Sequence, residues 1–400
     1  MNDMPQKFSS PFIRSPERSS TIFAVMTGAA CLPLLGGIFF FGTHAIVVSL
    51  LAVASCVFFE RMYYRVTSLP SLLGKGHAYL TGVLLALTLP AFTPWWAVIM
   101  AGGFAIIVGK AAFGGVGHYI WPPALIGRLS IAVLLPIIGM SAVVVPDDWP
   151  LLSQSDAILG NISNAREISL QDYQGWKETT AADGSSGFLL EHPSAALFGL
   201  TDMADSSEPR YSSIGIVRSD INNRKPALLA TLPPLRDMLI GARPGGLGET
   251  STLLIIAAGI YLIYRHYVKW QLSVAMLAAA WLTAAVAPIR LCGPAGDEIV
   301  WYPLLAEGLE VGFTYVNYQL FSGELLLCAF ILAADMTSRP VRTGGQFIFG
   351  ALVGALAMLM KLYINTPIPA YIAVLIMCCF TPVIDSLWRP RVLGARRSML

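Results

Sequence analysis

A chain of 400 residues that is 55% hydrophobic and only 12% charged, with a mean hydropathy of +0.64, excludes a water-soluble domain, because so apolar a surface would leave large bare patches. A formal net charge of +2 is too small to draw nucleic acid, so no nucleic-acid partner is expected. The composition implies an all-α polytopic membrane protein whose first partner is the lipid bilayer.

Residues 1–20 are polar and precede an apolar run too long for the core of a signal peptide. A helix crossing the hydrocarbon needs roughly 20 apolar residues, fewer where it is buried among neighbours. On that measure about ten spans follow. Five lie at 21–41, 44–60, 78–93, 94–110 and 124–146. The other five lie at 251–264, 270–288, 319–335, 346–363 and 368–386. The chain divides accordingly: a cytoplasmic N-terminal segment (1–20), a first five-helix repeat (21–146), a polar exoplasmic loop (147–250), a second five-helix repeat (251–386) and a basic cytoplasmic tail (387–400). The loop is rich in Ser, Asn, Asp and Gly, and has no amphipathic period long enough for a core of its own.

Basic residues fix the orientation. Lys7, Arg14 and Arg18 precede the first span; Arg61, Arg65 and Lys75 follow the second; Lys110 follows the fourth. Arg265 and Lys269, then Arg339 and Arg342, then Arg389, Arg391, Arg396 and Arg397 follow spans six, eight and ten. All fall on one face, which is the cytoplasmic one, whereas the opposite face receives chiefly Arg290 and Lys361 in short loops. Both termini are therefore expected in the cytoplasm. Five spans on each side of one external segment suggest a repeat, with "LTGVLLALTLP" in the first half set against "FSGELLLCAFILAAD" in the second.

Three features could carry chemistry. In "VGKAAFGGVGHYIWPPALIGR", Gly114, Gly115 and Gly117 allow backbone to approach a ligand or a helix, Lys110 offers a cation, and Pro122 and Pro123 open the fifth span. The alternative is a plain cytoplasmic turn. In "LIGARPGGLGETS", amides around Gly245, Gly246 and Gly248 make a cradle for an anion or carbonyl, while Glu249, Thr250 and Ser251 could equally be N-terminal capping. Asp335, at the cytoplasmic end of span eight, and Glu324 within that run are ionisable groups in or near the membrane. Simple solvation is the other reading of Asp335. The six cysteines show no CxxC spacing and read as small buried hydrophobes.

The order of "SSPFIRSPERSSTIFAVM", "LTGVLLALTLPAFTPWW", "GKAAFGGVGHYIWPPALIGR", "DMLIGARPGGLGETSTL", "FIFGALVGALAMLMK" and "TPVIDSLWRPRVLGARR" resembles the RnfD family, the D component of the Rnf electron-transport complex. That family is similar to the B component of the sodium-translocating NADH:quinone oxidoreductase. The resemblance implies a urea-transporter-like, five-plus-five membrane subunit in a bacterial inner membrane. Such a protein holds FMN, with riboflavin a further candidate, and relays electrons among other subunits of a complex that pumps Na+ or H+. It would be part of a redox-driven translocase and no stand-alone enzyme.

Family members carry FMN on the threonine of an Asp-x-x-Ser/Thr-Gly-Ala-Thr motif, which this chain lacks. Thr231 is the only hydroxyl residue preceded by alanine in the later outer loop, and "DGSSGFLL" and "PRYSSIGIVRSD" each lack the threonine. The expectation is that no FMN is covalently bound, and that any flavin sits near the Gly-rich turns and Asp335. The acid expected before "LTG" is replaced by Lys75-Gly76-His77, and Asp335 persists without the neighbours usual in the family, as the residue linked to the ion. A diverged structural subunit without flavin, and a solute channel or transporter, are the alternatives.

Overall fold

The computed structural model describes residues 19–67, 76–91, 93–137, 176–180, 186–190, 239–240, 246–293, 296–306, 309–321, 324–364 and 368–387. Helix dominates. In the first half α1 (Ser19–Phe41), α2 (Thr43–Thr67), α3 (His77–Thr88), α4 (Trp95–Ile107) and α5 (Pro123–Ile137) follow one another. In the second come α6 (Thr252–Tyr264), α7 (Trp270–Val286), the single turn α8 (Pro303–Ala306) and α9 (Leu309–Phe321). After these come α10 (Leu325–Leu327), continued by a π-helical turn Cys328–Leu332, then α11 (Thr343–Tyr363) and α12 (Pro369–Leu387). Two antiparallel hairpins, Trp176–Thr180 with Ser186–Leu190 and Ile289–Gly293 with Gly296–Val300, add short β structure to the all-helical expectation.

Five stretches are long and apolar enough to cross a bilayer: α1, α2, Trp95–Phe113, α11 and α12. Shorter apolar helices accompany them. Helices such as α4 and α6 are apolar on every side, which suits burial among helices and lipid. Leu50 and Phe58 on α2, with Leu253 and Ile260 on α6, stand largely bare of protein contact, as lipid-facing side chains do. The chain is a multi-pass membrane protein.

One expected span is not a single helix. Instead of running through 319–335, α9 ends at Phe321 and a new helix starts at Leu325. Glu324 sits at that start, where its Oε1 accepts the Ala370 amide at 2.9 Å. It therefore ties a helix N-terminus and does not interrupt a span. The start of α9 escapes a hydropathy reading because Glu310, Asn317 and Gln319 dilute its apolar residues.

Packing follows the same order in both halves. α3 lies against α1 and α2, and α4 against α2 and α5; the π turn lies against α6 and α7, and α11 against α7 and α12. Small residues permit the closest contacts. Gly350 and Gly354 of α11 face the carbonyl oxygens of Leu272 and Met276 on α7, and a methyl group on either glycine would run into them. Leu85, Leu87, Leu89, Leu125, Phe349 and Tyr371 are fully buried at the centre.

Candidate functional site

Lys110 follows the end of α4 and does not point to solvent as a positive-inside marker would. Its Nζ lies 2.9 Å from Glu60 Oε2 of α2, with side chains 3% and 1% exposed. A lone charge at this depth is costly, and pairing offsets that cost. The chain then makes a short 3₁₀ turn, Ala111–Phe113, and Gly114, Gly115 and Gly117 take φ of +93, +103 and +94°. No atom lies within 4 Å of where a Cβ would stand on any of the three. The left-handed backbone by itself calls for glycine here, and no other part of the chain packs against these positions among the described residues. Pro123 then opens α5, with the Pro122 carbonyl accepting the Leu125 amide at 3.0 Å.

The turn delivers Tyr119 to the boundary between the two halves. Its hydroxyl donates to Asp335 Oδ1 at 3.1 Å and lies 3.2 Å from His77 Nε2, at the head of α3. His77 Nδ1 is 3.3 Å from the Thr81 hydroxyl, which also donates to the His77 carbonyl at 3.0 Å. Phe23 of α1 meets the imidazole edge to face at 5.1 Å. Asp335 Oδ1 also accepts the Thr337 amide at 3.4 Å. Arg339 donates through Nη2 to the Tyr267 carbonyl at 3.0 Å. Burial draws the Arg339 guanidinium below its usual range, while the Asp335 carboxylate pulls the other way. His77, Thr81, Tyr119 and Asp335 line a cavity with about 20 Å³ open to the centre of a water-sized sphere.

The second Gly-rich turn is a structural clamp. The Leu247 and Gly248 amides donate to the carbonyls of Leu89 and Leu87 at 2.9 and 2.8 Å, finishing the C-terminal end of α3. Gly246 N donates to Glu249 Oε2 at 3.1 Å, and the Tyr371 hydroxyl donates to Glu249 Oε1. Ser251 is the N-cap of α6, accepting the Leu254 amide at 3.5 Å, and buried Thr250 donates to the Leu247 carbonyl at 3.4 Å. Of the three residues, Ser251 caps α6, while Glu249 and Thr250 brace the turn itself. Consecutive residues at the head of α12, Ala370 and Tyr371, thus hold Glu324 and Glu249 respectively.

Several of the groups these turns would offer a flavin are already engaged. Lys110 is committed to Glu60, the Gly246, Leu247 and Gly248 amides are spent within the chain, and the cavity beside Asp335 suits a water molecule, not a tricyclic ring. Gly245 and Thr231 lie outside the described residues. The structure brings Asp335 together with the first Gly-rich stretch, but through Tyr119 and His77, which the motifs alone do not single out. A signal for both was present: a histidine where an acid was expected, and the one tyrosine inside the Gly-rich stretch. Glu60, in the run "CVFFERMYYR", is a third such residue, an acid at the end of an apolar span whose burial hydropathy does not reveal.

Comparison with known proteins agrees over the whole chain. The chain is 27% identical to the D component of the proton-translocating ferredoxin:NAD(+) oxidoreductase complex of Clostridium ljungdahlii, covering 97% of this chain and 96% of that one. It is 30% identical to the D component of the ion-translocating oxidoreductase complex of Stutzerimonas stutzeri, covering 91% and 90%. The corresponding protein of Halorhodospira halophila is 27% identical over 98% and 97%. With residues 7–394 matching its model, the chain belongs to the NQR2, RnfD, RnfE family.

Proposed function

We propose that this chain is a membrane subunit of an ion-translocating oxidoreductase complex, and that Asp335, Tyr119 and His77 form its ion-linked site. The observation that carries the reading is the hydrogen-bonded chain His77–Tyr119–Asp335, buried at His77 and Tyr119 and half-buried at Asp335, which spans the two halves of the molecule beside a water-sized cavity. An ionisable group held at such depth is a functional feature by default. The shared packing order of the halves supports two inverted five-helix repeats with a site at their junction. In this reading the chain sits in a bacterial inner membrane with both termini cytoplasmic. Other subunits donate and accept the electrons.

Flavin enters as follows. The missing attachment motif favours a chain without covalent FMN. FMN or riboflavin is then held noncovalently away from these two turns, or by partner subunits, and no step is derived through it. Intact-chain mass spectrometry decides the covalent question: an added FMN mass that disappears in Thr231→Ala would overturn this part. For the reading as a whole, the purified complex in sealed vesicles should take up cations on electron transfer, while the isolated chain passes no solute. Passive solute flux through the isolated chain would favour the channel instead.

A further inference from the structure

We infer that the ion handled at this site is a proton, carried by a relay His77–Tyr119–Asp335, and that the site is closed to Na+. This rests on the reading above and names its ion. A hard cation takes a shell of about six oxygen ligands. Among the described residues, the side-chain oxygens lining this cavity are those of Thr81, Tyr119 and Asp335, so a full shell would have to be completed by backbone carbonyls and water; the remaining wall is the His77 ring with apolar groups such as Met26, Leu80, Leu84, Ile331 and Leu332. Two of those oxygens are already engaged, since Thr81 donates to its own helix and Tyr119 to Asp335. A proton needs no shell. It needs donors and acceptors in sequence, and these are present at 3.2 and 3.1 Å.

The step balances without a redox partner. A hydronium ion reaching the cavity gives its proton to His77 Nδ1 and leaves a neutral water. The Nε2 proton passes to the Tyr119 oxygen as the phenolic proton passes to Asp335 Oδ1. One proton has then moved from hydronium to the carboxylate, which becomes neutral, and His77 is left as the Nδ1–H tautomer. The charged groups facing the relay are Lys110, near His77, and Arg339, near Asp335, together with the Cys378 thiol of α12. The cavity exceeds the roughly 10–15 Å³ that one water molecule requires.

The test uses the assembled complex in sealed proteoliposomes, driven by reduced ferredoxin with NAD+, the couple in the name of the Clostridium relative. A pH-sensitive dye follows protons and radioactive sodium follows Na+. Wild type should acidify the lumen in Na+-free medium, at a rate that added NaCl leaves unchanged. Tyr119→Phe should keep complex composition while protons taken up per electron transferred fall about tenfold or more. His77→Gln, which keeps a hydrogen-bonding amide without a protonatable ring, should do the same and decides the matter if Tyr119→Phe does not assemble. Sodium uptake by wild type, with protons following only when a protonophore is added, would overturn the proton assignment. Undiminished proton uptake in both variants would overturn the relay. A wild-type complex that passes electrons and takes up neither ion would overturn the underlying reading, and the relay with it.

Discussion

At the scale of single residues, the Glu60–Lys110 pair sets the strongest expectation. Both side chains are buried, and Glu60 Oε1 has no hydrogen-bond partner among the described residues. Removing one partner strands the other charge. Lys110→Met should therefore lower stability by about 3–5 kcal/mol, and Glu60→Leu together with Lys110→Met should recover most of it. Thermal unfolding in detergent measures both; equal losses in the single and double variants would show that the pair is not coupled. Gly114 gives a second, sharper contrast. Its φ is +93° with open space around it, so backbone conformation alone should rank the replacements. Gly114→Asn should be mild and Gly114→Val should cost on the order of 1–2 kcal/mol. A Val variant as stable as wild type would show that the left-handed turn is not what demands glycine.

At the scale of elements, α11 packs on α7 through Gly350 and Gly354, whose four-residue spacing matches that of Leu272 and Met276 opposite. Gly354→Leu should prise these helices apart and abolish assembly of the complex, whereas Leu352→Ala, on an exposed position of the same helix, should not. Native gel migration separates the outcomes. The elements also mark how far hydropathy reaches. Long apolar runs such as α1, α2, α11 and α12 were legible because the bilayer itself selects their length and composition. The break between α9 and α10 was not, because Glu324 in an apolar run looks the same whether it faces solvent or ties the Ala370 amide. The π turn Cys328–Leu332 was invisible for a similar reason: its extra residue is accommodated by a partner far away in sequence, with Ser273 of α7 donating to the Ala329 carbonyl at 2.7 Å.

At the scale of the whole molecule, the basic residues predict that a cytoplasm-active reporter fused after Leu400 works, and that one active only in the periplasm stays silent. The reverse pattern would invert the topology. Asp335 was legible as a candidate because an acid near a membrane span draws notice from one residue. Tyr119 and His77 required the fold, since the contact that makes them a site joins the turn before α5 to the end of the π segment.

The clamp at the second Gly-rich turn bears on how the two halves come into being. The last carbonyls of α3 receive their hydrogen bonds from Leu247 and Gly248, which the ribosome adds only about 100 residues after α5. Leu87 and Leu89 are fully buried, so water does not stand in for those donors. The first half therefore leaves the translocon with an unfinished helix end and waits for the second to complete it. Split into two genes between α5 and α6, the protein should yield first halves that are degraded when made alone and rescued when the second is supplied.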